Sequence, residues 1–175
     1  MKRGTRAKRL AAIGVLAAMA LAVQYAENLL PPIAPGIPVK LGAANVFTLT
    51  AMMCFSIWDG LAVSAVRCTV GTLLLGGSPM ALAYSAAGCA MSWAVTALLM
   101  KPMKRGMVTP IGVSVAGAFC FNVGQMAIGM VLVGKQVLAY SPLMGLLSIP
   151  TGACVGLAAW IIKRRLFDGR KNASL

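Results

Sequence analysis

Glu27-Asn-Leu-Leu-Pro31-Pro32-Ile-Ala-Pro35-Gly-Ile-Pro38-Val-Lys40-Leu-Gly42-Ala-Ala-Asn45 is the stretch on which the fold turns. An apolar run ends in front of it and another begins behind it. It holds four of the nine prolines and one of the three carboxylates in the chain. Proline fixes φ, removes an N–H donor and disfavours helix in the residue before it, so Pro31, Pro32, Pro35 and Pro38 forbid a continuous helix here. The segment reads as a semi-rigid cap between two membrane helices, and as the lid and rim of a substrate site.

The rest of the chain sets the context. Of its 175 residues, 59% are hydrophobic and 11% charged, and its mean hydropathy is +0.85. Soluble domains carry about 25% charged residues, so a soluble fold would have too little polar surface to cover this core. The composition predicts an all-α integral membrane bundle, and the length allows about six transmembrane helices at roughly 20 residues each. The net charge of +13 would otherwise point to nucleic acid. Here the basic residues sit in clusters flanking apolar runs, which is a membrane pattern, and no nucleic-acid partner is expected. No histidine is present, which removes histidine metal sites and histidine acid–base chemistry. Cys54, Cys68, Cys89, Cys120 and Cys154 all lie in apolar segments without CxxC spacing. They read as small buried hydrophobes rather than as a disulfide framework.

Residues 1–9 form a basic N-terminus, residues 10–162 the transmembrane domain and residues 163–175 a basic tail. Span 1 is expected over 10–29, with small residues Gly14, Ala18, Ala22 and Ala26 at four-residue spacing, a stripe that lets another helix approach closely. Packing within the same bundle explains the stripe as well. The basic start and Ala18-Met-Ala20 also fit a signal peptide, but the remaining chain is equally apolar, so the segment is read as a retained span. Span 2 is expected over 41–57, an inner turn at Trp58, Asp59 and Gly60, span 3 over 61–75, span 4 over 79–100, span 5 over 108–133 and span 6 over 142–162. Lys135 and Tyr140 fall in the loop before span 6, which carries Pro150 and a Gly152/Gly156 pair.

Charge sets the orientation. Thirteen of the sixteen Lys/Arg fall in the N-terminal segment, the 101–105 loop and the C-terminal cluster. The positive-inside rule then puts both termini of a multi-pass protein in the cytoplasm.

Polar side chains inside a bilayer are costly, from about 2.5 to over 10 kcal/mol for a charge at the helix centre, so their clustering carries information. Glu27, Lys40, Asn45, Ser85, Asn122 and Gln125 come from scattered segments yet fall at similar depth, and one outward-facing pocket explains them. Asn122 and Gln125 share a helix face. Stitching of helices is the competing explanation, at about 0.6–2 kcal/mol per hydrogen bond, and for Ser85 and Ser92 alone it is the simpler one. Arg67 lies deeper, where it can pair with Asp59 or a carbonyl, or help to bind an anionic group. Catalysis has no support: the chain lacks a P-loop, a Gly-x-Ser-x-Gly elbow, a metal cluster and an aspartate pair for magnesium diphosphate. Neither a catalytic residue nor a cofactor is expected, and energy from ATP would have to come from partner subunits.

Several motifs resemble the Gx transporter family, also described as heptaprenyl diphosphate synthase component I. They are Val39-Lys40-Leu-Gly42-Ala-Ala-Asn45, Arg67 with Gly71 and Leu-Leu-Leu-Gly-Gly at 73–77, Ser85-Ala-Ala-Gly88, and Gly112-Val-Ser-Val-Ala-Gly117 with Asn122-Val-Gly-Gln125. The resemblance runs from about Leu10 to Trp160 and departs at Phe121, where histidine is expected. The family is similar to the substrate-binding S components of energy-coupling-factor vitamin transporters. That likeness implies a bacterial plasma membrane, six helices with both ends inside, and a small vitamin-like compound captured near the outer face. It further implies a membrane coupling subunit and two ATPases as partners, with small residues of span 1 touching the coupling subunit. The candidate substrate residues are thus Glu27, Lys40, Asn45, Arg67, Ser85, Asn122 and Gln125, and the candidate docking residues Gly14, Ala18, Ala22 and Ala26. The alternative is a non-catalytic membrane component of heptaprenyl diphosphate or isoprenoid-quinone synthesis. Loss of ligand affinity in Asn122→Ala and Gln125→Ala is the expectation for the first reading.

Overall fold

A computed structural model of the protein describes residues 3–29, 42–74 and 78–168. Six α-helices follow one another: α1 (Arg3–Asn28), α2 (Asn45–Cys54), α3 (Ile57–Leu74), α4 (Pro79–Lys104), α5 (Pro110–Leu132) and α6 (Ser141–Ile162). A 3-10 helix, Lys135–Tyr140, leads into α6, and a π-helical turn, Lys163–Asp168, follows it. Among the described residues there is no strand. Lys40 and the proline-rich segment 30–40 lie outside the described residues.

Local chemistry explains where the helices begin. Ser78 Oγ accepts from the Ala81 N–H at 3.2 Å, and Thr109 Oγ1 accepts from the Gly112 N–H at 3.1 Å. In each case a proline occupies the first helical position. A hydroxyl cap followed by proline satisfies one orphan donor and removes another. Gly106, at φ +76, turns the chain between α4 and α5, a conformation that costs glycine nothing.

Five helical segments are long and apolar enough to cross a membrane, and α2 is too short for this. Ten residues of α2 rise only about 15 Å, roughly half of a hydrocarbon core of about 30 Å. The expected span 2 over 41–57 is therefore a half-span. The turn behind it falls at Phe55 and Ser56, so that Trp58, Asp59 and Gly60 belong to the first turn of α3. Proximity of Gly60 to Met52 and the carbonyl of Thr48 explains the tight hairpin, since any side chain there would collide with α2. The basic residues at 101–105 also differ from the expected loop: α4 continues through Lys104 despite Pro102.

The outside of the bundle is apolar. Leu73, Leu98 and Val131 are each three-quarters or more exposed, while Arg67, Gln24 and Gln125 are almost fully buried. Lipid favours this inside-out arrangement, because it solvates alkyl chains and not amides. The helices alternate in direction. Arg9 meets Asp59 and Gln24 meets Gly71, so α1 and α3 run parallel. Gly117 meets Ser92 and Thr96, and Gly156 meets Ile111, so α4, α5 and α6 are successively antiparallel. Arg9, Asp59, Lys101, Lys104 and Arg105 thereby collect at one end, here termed the basic end.

Candidate functional site

The buried polar centre is built on Arg67, which stands ten residues into α3, about 15 Å from its start. The guanidinium donates from Nη2 to Asn45 Oδ1 at 3.0 Å and to Cys89 Sγ at 2.7 Å. Asp59 takes no part: its carboxylate pairs with Arg9, Nε to Oδ2 at 3.1 Å, at the basic end. Arg67 is thus held by one side chain from α2 and one from α4. Its Nε has no hydrogen-bond partner among the described residues.

Five further side chains crowd this centre. Glu27, at the end of α1, accepts the Ala43 N–H on Oε1 at 2.8 Å and lies within electrostatic reach of Arg67. Cys68 Sγ is 2.7 Å from Cys89 Sγ, and Ser85 Oγ lies 3.5 Å from Cys68 Sγ. Gln24 packs on Gly71, one turn along α3 from Arg67, where any side chain on residue 71 would displace the amide. Gln125 packs on Gly88, the neighbour of Cys89, together with Phe121. Neither amide has a hydrogen-bond partner among the described residues, and neither does Thr48 Oγ1.

A small polar cavity opens beside the centre. Asn45, Thr48, Ser64, Cys89, Ser92 and Thr96 line it from α2, α3 and α4, with Ser114 and Thr151 from α5 and α6. Its volume is about 20 Å³, room for about one water molecule. Two apolar grooves lie on the lipid-facing side. One of about 390 Å³ runs between α1 and α3 and includes Gly14, Ala18, Val63 and Val66. Another of about 240 Å³ runs between α3 and α4 and reaches Ser64, Cys68 and Cys89.

The structure sorts the sequence-derived candidates. Asn45, Arg67 and Ser85 come together around the two thiols, with Glu27 nearby on the Ala43 N–H just ahead of α2 and Gln125 bordering Gly88. Asn122 points elsewhere. Its Nδ2 donates to the Met144 carbonyl at 3.1 Å and to Ser148 Oγ at 2.8 Å, which ties α5 to α6. Lys40 lies outside the described residues. Gly14, Ala18, Ala22 and Ala26 are all exposed on one side of α1, and Gly14 has open space around it. Gln24, Cys68 and Cys89 were not among the candidates. For Gln24 the signal was present, as the one amide inside the first apolar run. For the cysteines it was not, because a thiol in an apolar helix reads as packing until its neighbour is known.

A family model described as heptaprenyl diphosphate synthase component I matches residues 16–162. The chain belongs to this family. The match spans α1 from Leu16 to the end of α6, so every residue of the polar centre falls within the heptaprenyl diphosphate synthase component I region. No curated protein and no solved structure matches the chain.

Proposed function

We propose that this membrane protein is the substrate-binding subunit of an energy-coupling-factor type importer, with the ligand captured at the Arg67 centre. One observation carries the reading: a buried guanidinium and, packed on the nearby Gly71 and Gly88, two buried amides, Gln24 and Gln125, whose hydrogen-bonding groups have no partner among the described residues. Polar side chains that only stitch helices satisfy one another, and a half-satisfied polar network inside a membrane is less stable than an apolar one. Unspent donors and acceptors at one depth make sense when a ligand completes them. The basic end faces the cytoplasm by charge, so the centre is reached from the far side. A 20 Å³ cavity holds water and not a vitamin, and capture therefore requires the helices around Arg67 to part. Three carboxylates in the whole chain leave no pair to hold a magnesium diphosphate, so the role is non-catalytic and ATP is hydrolysed by partner subunits. The exposed stripe of Gly14, Ala18, Ala22 and Ala26 suits close approach of a membrane coupling subunit.

The family description favours a second reading, that of an accessory membrane subunit in prenyl diphosphate synthesis. Mass spectrometry of the protein purified gently from its native membrane separates the two. A stoichiometric vitamin-like molecule with co-purifying ATPases supports the importer. A prenyl diphosphate or a co-purifying prenyl synthase, with no ATPase, overturns it in favour of the accessory subunit.

A further inference from the structure

Cys68 and Cys89 pack with Phe121 in one buried cluster. They face each other from antiparallel helices twenty-one positions apart, with sulfurs 2.7 Å apart, and both are free thiols. Cys89 Sγ also accepts from Arg67 Nη2 at 2.7 Å, so a negative sulfur at this position meets a fixed positive charge. Ser85 Oγ lies within hydrogen-bonding reach of Cys68 Sγ at 3.5 Å. Cys89 also lines the water-sized cavity, and both thiols border the α3–α4 groove. The groove offers a small oxidant a path to the pair.

We propose that Cys68 and Cys89 form a redox modification site, a dithiol that closes to a disulfide between α3 and α4 on reaction with a peroxide. Cys89 attacks as the thiolate, since its counter-charge is in place, and Cys68 resolves. The Cys89 sulfur bonds to one peroxide oxygen and the O–O bond breaks. The departing hydroxide takes up the proton that Cys89 released and leaves as water, with Cys89 as a sulfenic acid. Cys68 sulfur then attacks the Cys89 sulfur and the S–O bond breaks. The second hydroxide takes the Cys68 proton and leaves as water. The two thiols lose two electrons, and one peroxide becomes two waters. Oxidation also ties the sulfur that accepts from Arg67 into a neutral disulfide, and so changes the surroundings of the guanidinium.

The test uses the full chain in detergent, reduced, exposed to hydrogen peroxide, quenched with catalase, denatured and alkylated with a maleimide. Intact mass should show labelled thiols falling from the five of the sequence to three. Peptide mapping should find Cys68 joined to Cys89, and dithiothreitol should restore five. Five labelled thiols after peroxide, or a disulfide between any other pair, overturns the proposal. In Cys68→Ser no disulfide should form, and dimedone should add to Cys89. A dimedone adduct on another cysteine in place of Cys89 refutes the assignment of the attacking sulfur. The mapping of the unmodified chain decides the matter even where the variant does not fold.

Discussion

The α5–α6 seam and the Arg67 centre use the same residue types to opposite ends. At the seam, Gly152 faces Val115 Cα and Gly156 faces Ile111 Cα so closely that a Cβ would stand 2.6 and 2.7 Å from those backbone atoms. The one amide there, Asn122, spends its donors on the Met144 carbonyl and the Ser148 hydroxyl. Around Arg67 the amides of Gln24 and Gln125 are more deeply buried than Asn122 and have no such partners. Burial of a polar group is therefore not what separates the two regions. What separates them is whether its hydrogen-bonding capacity has been used.

The largest effect should come from attacking the seam itself. Gly156→Leu places a branched side chain against the α5 backbone, where nothing flexible can yield, and overpacking of this kind costs about 1–3 kcal/mol or more. Loss of folded, monodisperse protein on size-exclusion chromatography in detergent is expected, while an equivalent leucine at the exposed Gly14 should leave the elution profile unchanged. Next in size is Arg67→Met. Removing the charge should abolish retention of any bound small molecule and also lower thermal stability, because Asn45 Oδ1 and Cys89 Sγ lose their donor. Retention of the ligand in Arg67→Met would remove the centre from the binding site.

The sharper contrast is between amides. Gln125→Leu relieves an unpaired buried amide and should hold or raise the melting temperature while weakening ligand retention. Asn122→Leu removes two hydrogen bonds, each worth about 0.6–2 kcal/mol in a membrane, and should lower the melting temperature with ligand retention intact. The comparison breaks if the two variants behave alike. The smallest effect belongs to the basic end. Asp59→Asn disrupts a pair in which Arg9 is well exposed, and exposed pairs contribute about 0–1 kcal/mol, so a change in melting temperature near the error of the scan is expected.

Much of this was legible in the sequence. Apolar length, proline position and basic clusters gave six helices, five of them within four residues of their observed bounds, because lipid imposes its rules segment by segment. The first helix, α1, begins seven residues before the expected span, at Arg3 inside the basic segment. Caps such as Ser78-Pro79 and Thr109-Pro110 mark helix starts by local chemistry alone. The α2–α3 hairpin was misplaced because Trp58, Asp59 and Gly60 look like a turn, whereas the contact that fixes the turn, Gly60 on Met52, is tertiary. Asn45 and Ser85 were legible as polar residues at similar depth, whereas Arg67 read as a deeper, separate charge and the structure brings it to Asn45. Helical spacing put Asn122 and Gln125 on one face, but each helix of a bundle has two neighbours, and three residues suffice to aim one amide at α6 and the other at α4. The role of Cys89 depended on Arg67 reaching it across two helices, which no spacing within the chain encodes.

The shortness of α2 bears on how the protein is made. A ten-residue segment that opens with asparagine is too short for the insertion machinery to treat as a span, and α3 carries an arginine whose cost at the helix centre is about 2.5–3.5 kcal/mol on insertion scales. Neither segment partitions well alone. Joined by their two-residue turn, with Asn45 already on the guanidinium, they present a far less polar surface to the lipid. The two are therefore expected to enter the membrane as one hairpin, with the contact that shapes the polar centre also lowering the cost of insertion.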